Sequence, residues 1–542
     1  MPTQQFTGFV GVNNKVHPTL IRNEFLAYGE DLDLSRNTLS PVRTDRRVSS
    51  VTTTNARTVY ADNCCIQTYA GCEDYAIDPN GCERVFRGVT LATPAPLTAT
   101  PTGYCAGTTY TWGWPCTLNA MTATYISPTY SERTVEPRAY TYTFVNIYGE
   151  ESHPAPVVSM AAVDQNNRAT LSGFSATAAG YGAVSINIYM LVAGMSAVVG
   201  GGTEGNDEFL HIATIPASQL MFTHDPAVHP LGDALTTDEF VPVPDDAADP
   251  WFFDTSQIAF RSQGMLRFTE PWNYSLAPLK YAYKPQEELL RIAATPKFVY
   301  MLTCGRPEVV SAAISPDMTG ARESSAINDS FPLIGRRSVA VHEDSVIYAS
   351  VMGLVRLNGA TAATMTDEVF TQHQWDTLQP QTMIGAVYQG YYYGATATTC
   401  FRIEIPRGPK ANHAEKFSYL SIRPTAWTVT TDDRLLYSDA TGLHELGQGG
   451  DYKTYTAVTR DVMESDQRVH TVARVISAPG TITVTQTAIT DNGTEHPEVR
   501  TLRGGINRFS RRLAAGVRYT IRGKTEVSAF VVGNSVAGVT SR

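Results

Sequence analysis

Side chains able to carry a reaction are present in this sequence, but not at the spacings that reactions need. A phosphate-cradling loop requires glycines and a lysine ahead of Ser or Thr at a helix start, and no such string occurs. The run GMSAV, from Gly194 to Val198, begins like the strained turn that presents a nucleophilic serine but lacks the closing glycine that lets the turn form. The 11 histidines are scattered, with no HExxH helix. Six of the eight cysteines (Cys64, Cys65, Cys72, Cys82, Cys105, Cys116) crowd one region without a CxxC pair or an intervening histidine, which reads as free thiols or packing residues rather than zinc ligands. A disulfide such as Cys105 to Cys116 stays open. A glycosidase needs only two carboxylates, which can lie far apart in the chain, yet the Ser-x-Asp-x-Gly-x-Thr-Trp turns of sialidase-like propellers are missing. Trp375 and Asp376 make a single WD dipeptide inside a stretch that reads as helix. No catalytic, cofactor-binding or metal-ligating residue is assigned, and the chain is read as a non-enzyme with no cofactor.

Two other constellations stand out, and both suit contact rather than reaction. From Asp225 to Asp254 there are eight acids and no Lys or Arg, whereas from Arg500 to Lys524 there are eight bases and no acid. Opposite potentials of this kind fix register and speed assembly, which makes Asp238, Glu239, Asp245 and Asp246 on one side, and Arg500, Arg503, Arg508, Arg511 and Arg512 on the other, candidates for a subunit interface. The competing reading is an acidic linker and ordinary solvated strand faces. Tyr110, Trp112 and Trp114 sit in the Cys- and Gly-rich loop and are candidates for a tip or partner-binding loop, with plain packing as the alternative. The Tyr391, Tyr392, Tyr393 cluster reads as core.

Positioning such residues falls to strands. The chain of 542 residues is 43% hydrophobic and only 17% charged, too little charge for long solvated helices or disorder. Its 27 Tyr, 41 Gly and 31 Pro suit many short strands joined by tight turns, so the expected class is all-β. The net charge of -10 disfavours generic binding to nucleic acid or an anionic membrane. No apolar run approaches the roughly 20 residues of a membrane span, and the opening MPTQQFTGFVGVNNKVH lacks the order of a signal peptide.

Between Leu290 and Leu446 a phrase of strand, turn, Tyr-centred strand, Gly and strand recurs. Taking Tyr300, Tyr348, Tyr392 and Tyr437 as equivalent gives spacings of 48, 44 and 45 residues, the period of β-propeller blades. A plain sandwich or irregular β-domain is the alternative. The expected layout is residues 1–133 as early propeller strands plus the Cys-rich loop and 134–249 as an inserted fibronectin- or immunoglobulin-like β-sandwich. Residues 250–466 follow as blades, and 467–542 as a small C-terminal β-sheet region that closes the propeller or forms an end-domain. Early strands are expected to pair with late ones. Helix is expected only at PQEELLRI and at TDEVFTQHQWDTL, the latter with Thr366 as cap.

A series of phrases in order along most of the chain carries a resemblance: NEFLAYGEDLDLSRNTLSPVRT, YTYTFVNIYGEES, INIYML, LGDALTTDEFVPVP, RFTEPWNYSLAP, RRSVAVHEDSVIYASVMGLVRLNG and FTQHQWDTLQP. Together they resemble the tail nozzle or hub proteins of short-tailed bacteriophages and related prophages, and the Cys-rich stretch is where the chain departs most. The resemblance implies a virion protein assembled in the bacterial cytoplasm as a homo-oligomeric ring, sixfold by analogy. It would extend the portal and adaptor (the head-to-tail connector), meet tail fibre or spike proteins and conduct double-stranded DNA without sequence-specific binding. No membrane insertion is implied. The alternative is a receptor-binding or fibre-anchoring tail protein, for which a monomer or trimer with an exposed aromatic groove is expected.

Overall fold

A computed structural model describes residues 3–49, 58–61, 66–69, 74–77, 85–88, 96–97, 114, 118–126, 135–164, 168–175, 180–192, 208–238, 240–253, 256–278, 281–314, 322–327, 329–406, 416–430, 432–463 and 470–540. These residues are almost entirely strand, and the class is all-β. Among them, no helix is long and apolar enough to cross a membrane.

Residues 248–445 form a run of antiparallel meander sheets. The first comprises Ala248–Phe253, Gln257–Ser262, Met265–Phe268 and Ala282–Tyr283, and the second Leu289–Ala294, Phe298–Thr303, Glu308–Ile314 and Arg322–Ala326. The third comprises Ala340–His342, Ser345–Ser350, Gly353–Asn358 and Thr361–Thr364, and the fourth Ile384–Tyr388, Tyr391–Ala395, Cys400–Glu404 and Phe417–Leu420. In the fifth, Ala426–Val429, Leu435–Asp439 and Gly442–Glu445 are joined by the early strand Arg46–Ser49. Successive sheets touch through their first strands, from Ala248–Phe253 across to Ala426–Val429, which in turn lies against Thr58–Ala61. Packing on both faces explains why the strand Ser345–Ser350 is buried at every position instead of alternating. Two-residue hairpins close on Gln263-Gly264 and Gln389-Gly390, all four residues with positive φ, a twist that matches the strands and that glycine adopts without strain.

The recurring tyrosines occupy equivalent places. Tyr300, Tyr348, Tyr392 and Tyr437 all lie on the second strand of their sheets, with rings buried. Three of the hydroxyls reach out of their own sheets, and the fourth reaches the residue that leads into the last strand of its sheet. Tyr300 donates to Asp344 O at 3.0 Å and accepts from Gly359 N at 2.7 Å, Tyr348 donates to Phe331 O at 2.8 Å, Tyr392 to Ser338 O at 2.8 Å, and Tyr437 to Asp45 Oδ2 at 2.8 Å.

Two expectations of helix need correction. PQEELLRI forms no helix, because Leu289–Ala294 is the first strand of the second sheet and its Leu289, Ile292 and Ala293 are needed in the core between sheets. In TDEVFTQHQWDTL the helix is Gln372–Thr377, capped by Thr371 and not Thr366. Thr371 and Gln374 bond reciprocally in a capping box, while the Thr366 hydroxyl is occupied by Leu354 N.

The C-terminal region is larger than a closing sheet. Gln4–Thr7, Val527–Gly533, Val472–Ser477 and Gly505–Arg508 make one sheet. It packs on Tyr455–Val458, Gly516–Gly523, Thr481–Ile489 and Glu495–Arg503, with Phe6, Tyr519, Phe530, Val475 and Ile482 between the layers. The second layer continues through Tyr28–Glu30 into the fourth meander sheet, where Glu30 pairs with Tyr419. Early strands thus join late ones in three places.

A further unit starts before residue 134. Thr122–Ile126 pairs with Arg168–Ser172, which pairs with Met221–His224; the other sheet is Val158–Asp164, Val135–Asn146, Ala183–Val192 and Glu208–Pro216. Tyr140, Tyr142, Phe144, Leu171, Ile186 and Ile188 share its core. It is fastened to the meander sheets by Glu150, a buried carboxylate that accepts from Tyr274 N at 2.9 Å and Ser275 Oγ at 2.8 Å.

Two outcomes follow. Tyr392→Phe leaves the Ser338 carbonyl without this donor and is expected to lower stability by about 1–3 kcal/mol in urea unfolding. Burial holds His224 and His470 down to about 4 from an ordinary 6.5, so both stay neutral when folded. The unfolded chain takes up their protons first, so stability is full above 6.5 and falls as pH drops toward about 4. Denaturation midpoints measured across that window check it, and His470→Gln flattens the dependence.

Candidate functional site

The basic run lies where two sheets end. Glu495–Arg503 and Gly505–Arg508 are the edge strands of the two layers of the C-terminal unit, and Gly505, at φ 106°, makes the turn from one layer to the other. Alternation along the first strand sends Leu502 into the core and leaves Val499 63% exposed. Ile506 and Leu513 are also exposed, Leu513 at 74%. In the same stretch, Arg503, Arg508 and Arg511 are exposed and form no ion pair among the described residues. The other candidates have local duties. Arg500 holds Glu498 at 2.8 Å, and although burial raises that carboxyl, hydrogen bonds from Arg500 and Ser510 leave it below the usual range. Arg512 is half-buried and donates to His496 O at 3.4 Å. Arg518 bonds both oxygens of Asp461, at 2.6 and 2.9 Å, and Lys524 pairs with Asp451 at 2.7 Å.

The acidic run divides the same way. Asp233, Asp238, Asp245 and Asp246 are exposed. Asp246 also accepts from Ser262 Oγ at 2.6 Å and Gln263 N at 2.8 Å, tying it to the hairpin turn of the first sheet. Asp249 is buried against Arg261 at 2.8 Å, and Asp225 is bound by Arg168 at 2.8 Å, so both serve the fold. Glu239 lies outside the described residues. Leu220, Met221, Val228 and Leu231 are exposed in the same stretch, an apolar component that charge counting missed and that strand alternation at Met221–His224 signals.

Of the aromatic loop candidates, Tyr110 and Trp112 lie outside the described residues. Trp114 is corrected: it is 1% exposed and stacks on Phe144 with ring centroids 6.3 Å apart. A ring sealed into that core presents no surface to a partner. Of the cysteines, Cys304 is exposed and Cys400 buried, where burial pushes its thiol up; the six clustered ones lie outside the described residues. Among the described residues no group of His, Cys, Asp and Glu has the makings of a metal site.

Sequence reading also missed a cavity of about 600 Å³ between the fourth and fifth sheets, the 33–45 segment and the C-terminal unit. Its charged lining comes from chain positions hundreds of residues apart, such as Arg43 and Lys524, and no local pattern marks it.

No family model and no curated protein matches this chain. Solved structures give remote similarities. Kluyveromyces lactis Hsv2 is 8% identical, with 63% of this chain and 96% of that one covered at a TM-score of 0.25. A streptogramin B lyase structure is 10% identical, covering 61% and 98% at 0.25. The extracellular domain of the one-component system protein BT4673 from B. thetaiotaomicron is 11% identical, covering 83% and 74% at 0.24. Scores this low carry no argument.

The two classes of arginine separate by experiment. Replacing Arg503, Arg508 and Arg511 together by Glu is expected to change monomer stability by no more than about 0.5 kcal/mol per site in urea unfolding. Arg518→Ala leaves Asp461 without its partner and lowers stability by about 1–3 kcal/mol.

Proposed function

We propose that this chain is a non-enzymatic structural subunit of a bacteriophage tail, a nozzle or hub that assembles head to tail into a ring below the portal and adaptor. In this reading the meander sheets are blades of a β-propeller, and the unit containing Tyr140 and Ile188 is an inserted β-sandwich of fibronectin or immunoglobulin type. DNA passes through the ring without base-specific contact, and tail fibres or spikes attach outside it. The protein works by shape in the virion.

One observation carries the proposal. Two stretches on different units combine exposed aliphatic residues with exposed charge of one sign: Val499, Ile506 and Leu513 with Arg503, Arg508 and Arg511, against Val228 and Leu231 with Asp233 and Asp245. A face that matches a different face of the same chain generates a heterologous contact, and such contacts close into rings when the rotation permits. The apolar residues supply burial and the charges supply register. The receptor-binding alternative loses Trp114 as an exposed aromatic contact.

The wild-type chain is expected to form a closed ring with a central channel, seen by light scattering and electron microscopy. Reversing Arg503, Arg508 and Arg511 to Glu weakens assembly at least about tenfold at low salt, equivalent to about 1.4 kcal/mol. Adding Asp233→Lys and Asp245→Lys restores it. A wild-type chain that stays monomeric at high concentration, or reversal without effect, refutes the proposal.

A further inference from the structure

The cavity beside the fourth and fifth sheets has a charge balance that its walls do not settle. Its carboxylates are all engaged. Asp45 accepts from Lys453 at 2.9 Å, Tyr437 at 2.8 Å and Gly447 N at 2.9 Å. Asp33 accepts from Arg402 at 3.2 Å and Ser35 N at 3.1 Å, and Glu526 from Thr38 at 3.0 Å. Of the cations, Arg402 is held by Asp33 and by Leu32 O at 2.6 Å, Lys453 by Asp45, and Lys524 by Asp451 at 2.7 Å. That leaves Arg36 and Arg43, which have no carboxylate partner among the described residues.

Both are placed by local structure. Arg36 rides on a turn closed by Asn37 N to Leu34 O at 3.0 Å, with Asn37 in the left-handed region at φ 57°. Arg43 is held by backbone pairing between the 42–44 segment and residues 449–453, and its guanidinium lies 5.7 Å from the centre of the Tyr452 ring. Two exposed cations without a carboxylate partner in the lining of a cavity, on a chain whose net charge is -10, select an anion.

The rest of the lining asks for hydroxyl groups. Gln389 and Gln448 offer amide groups, and Tyr452, 43% exposed, offers a ring of the kind on which sugars stack, while Tyr388 is buried and its hydroxyl accepts from Gln389 Nε2 at 2.9 Å. A volume of about 600 Å³ falls within the range of small-ligand sites.

We infer that this cavity binds a small anionic sugar, phosphorylated or carboxylated, with Arg36 and Arg43 on the anionic group. The inference stands independently of the tail reading, because it concerns one chain and needs no ring.

The test is calorimetric titration of the full chain with glucose 6-phosphate, glucuronate, glucose and inorganic phosphate. Saturable binding of glucose 6-phosphate or glucuronate is expected, with glucose at least about tenfold weaker. The Arg36→Ala, Arg43→Ala double variant is expected to lose at least about tenfold in affinity while its ligand-free thermal unfolding matches wild type. Since both side chains are exposed, that match shows that the fold survives the change. Absence of saturable binding by either anionic sugar, equal affinity in the double variant, or inorganic phosphate binding as tightly as glucose 6-phosphate overturns the inference.

Discussion

A tyrosine hydroxyl that reaches past its own strand to bond a segment outside the ladder is the interaction on which this architecture turns. Meander sheets that meet through their first strands share little hydrogen bonding, because ladders run within a sheet and not between sheets. Apolar contact holds such neighbours together but tolerates sliding. A phenol buried to the ring and bonded at its tip adds the missing directional constraint, since an unpaired hydroxyl in that setting is costly. Tyr300, Tyr348, Tyr392 and Tyr437 apply the device in successive sheets, and the last reaches Asp45, which also holds Lys453 and Gly447 N. The same residue thereby orders one wall of the cavity.

Much of this was legible because it repeats. The spacing of those tyrosines marked the units, and the structure puts each of them on a second strand. The expectation that early strands join late ones is met where Arg46–Ser49 completes the fifth sheet. What escaped was nonlocal. Nothing near Gln4–Thr7 announces a partner in Val527–Gly533, and a boundary at 134 hides the strand Thr122–Ile126, which belongs to the unit that follows. PQEELLRI misled because good helix formers yielded to the burial demands of a central strand.

The candidate contact residues were less legible, for a physical reason. Charge runs show in sequence, but whether a charge is spent within the fold depends on geometry: Asp249 and Arg518 are consumed internally while Asp245 and Arg503 are left exposed. Trp114 makes the complementary point. A tryptophan among glycines and cysteines looks like a loop ornament, yet it joins Phe144, Leu118, Met121 and Tyr142 in a buried cluster.

The sheet that carries Gly505–Arg508 at one edge carries Gln4–Thr7 at the other, with Val472–Ser477 and Val527–Gly533 between them. Gln4–Thr7 thus finds its ladder partner in a strand more than five hundred residues away along the chain. Closing a loop over such a separation costs more chain entropy than closing the hairpins of the meander sheets. Without Val527–Gly533, Gln4–Thr7 and Val472–Ser477 have no strand to join them. The arginine-bearing edge therefore rests on Val472–Ser477, and that strand is flanked on its other side only when Val527–Gly533 pairs with it.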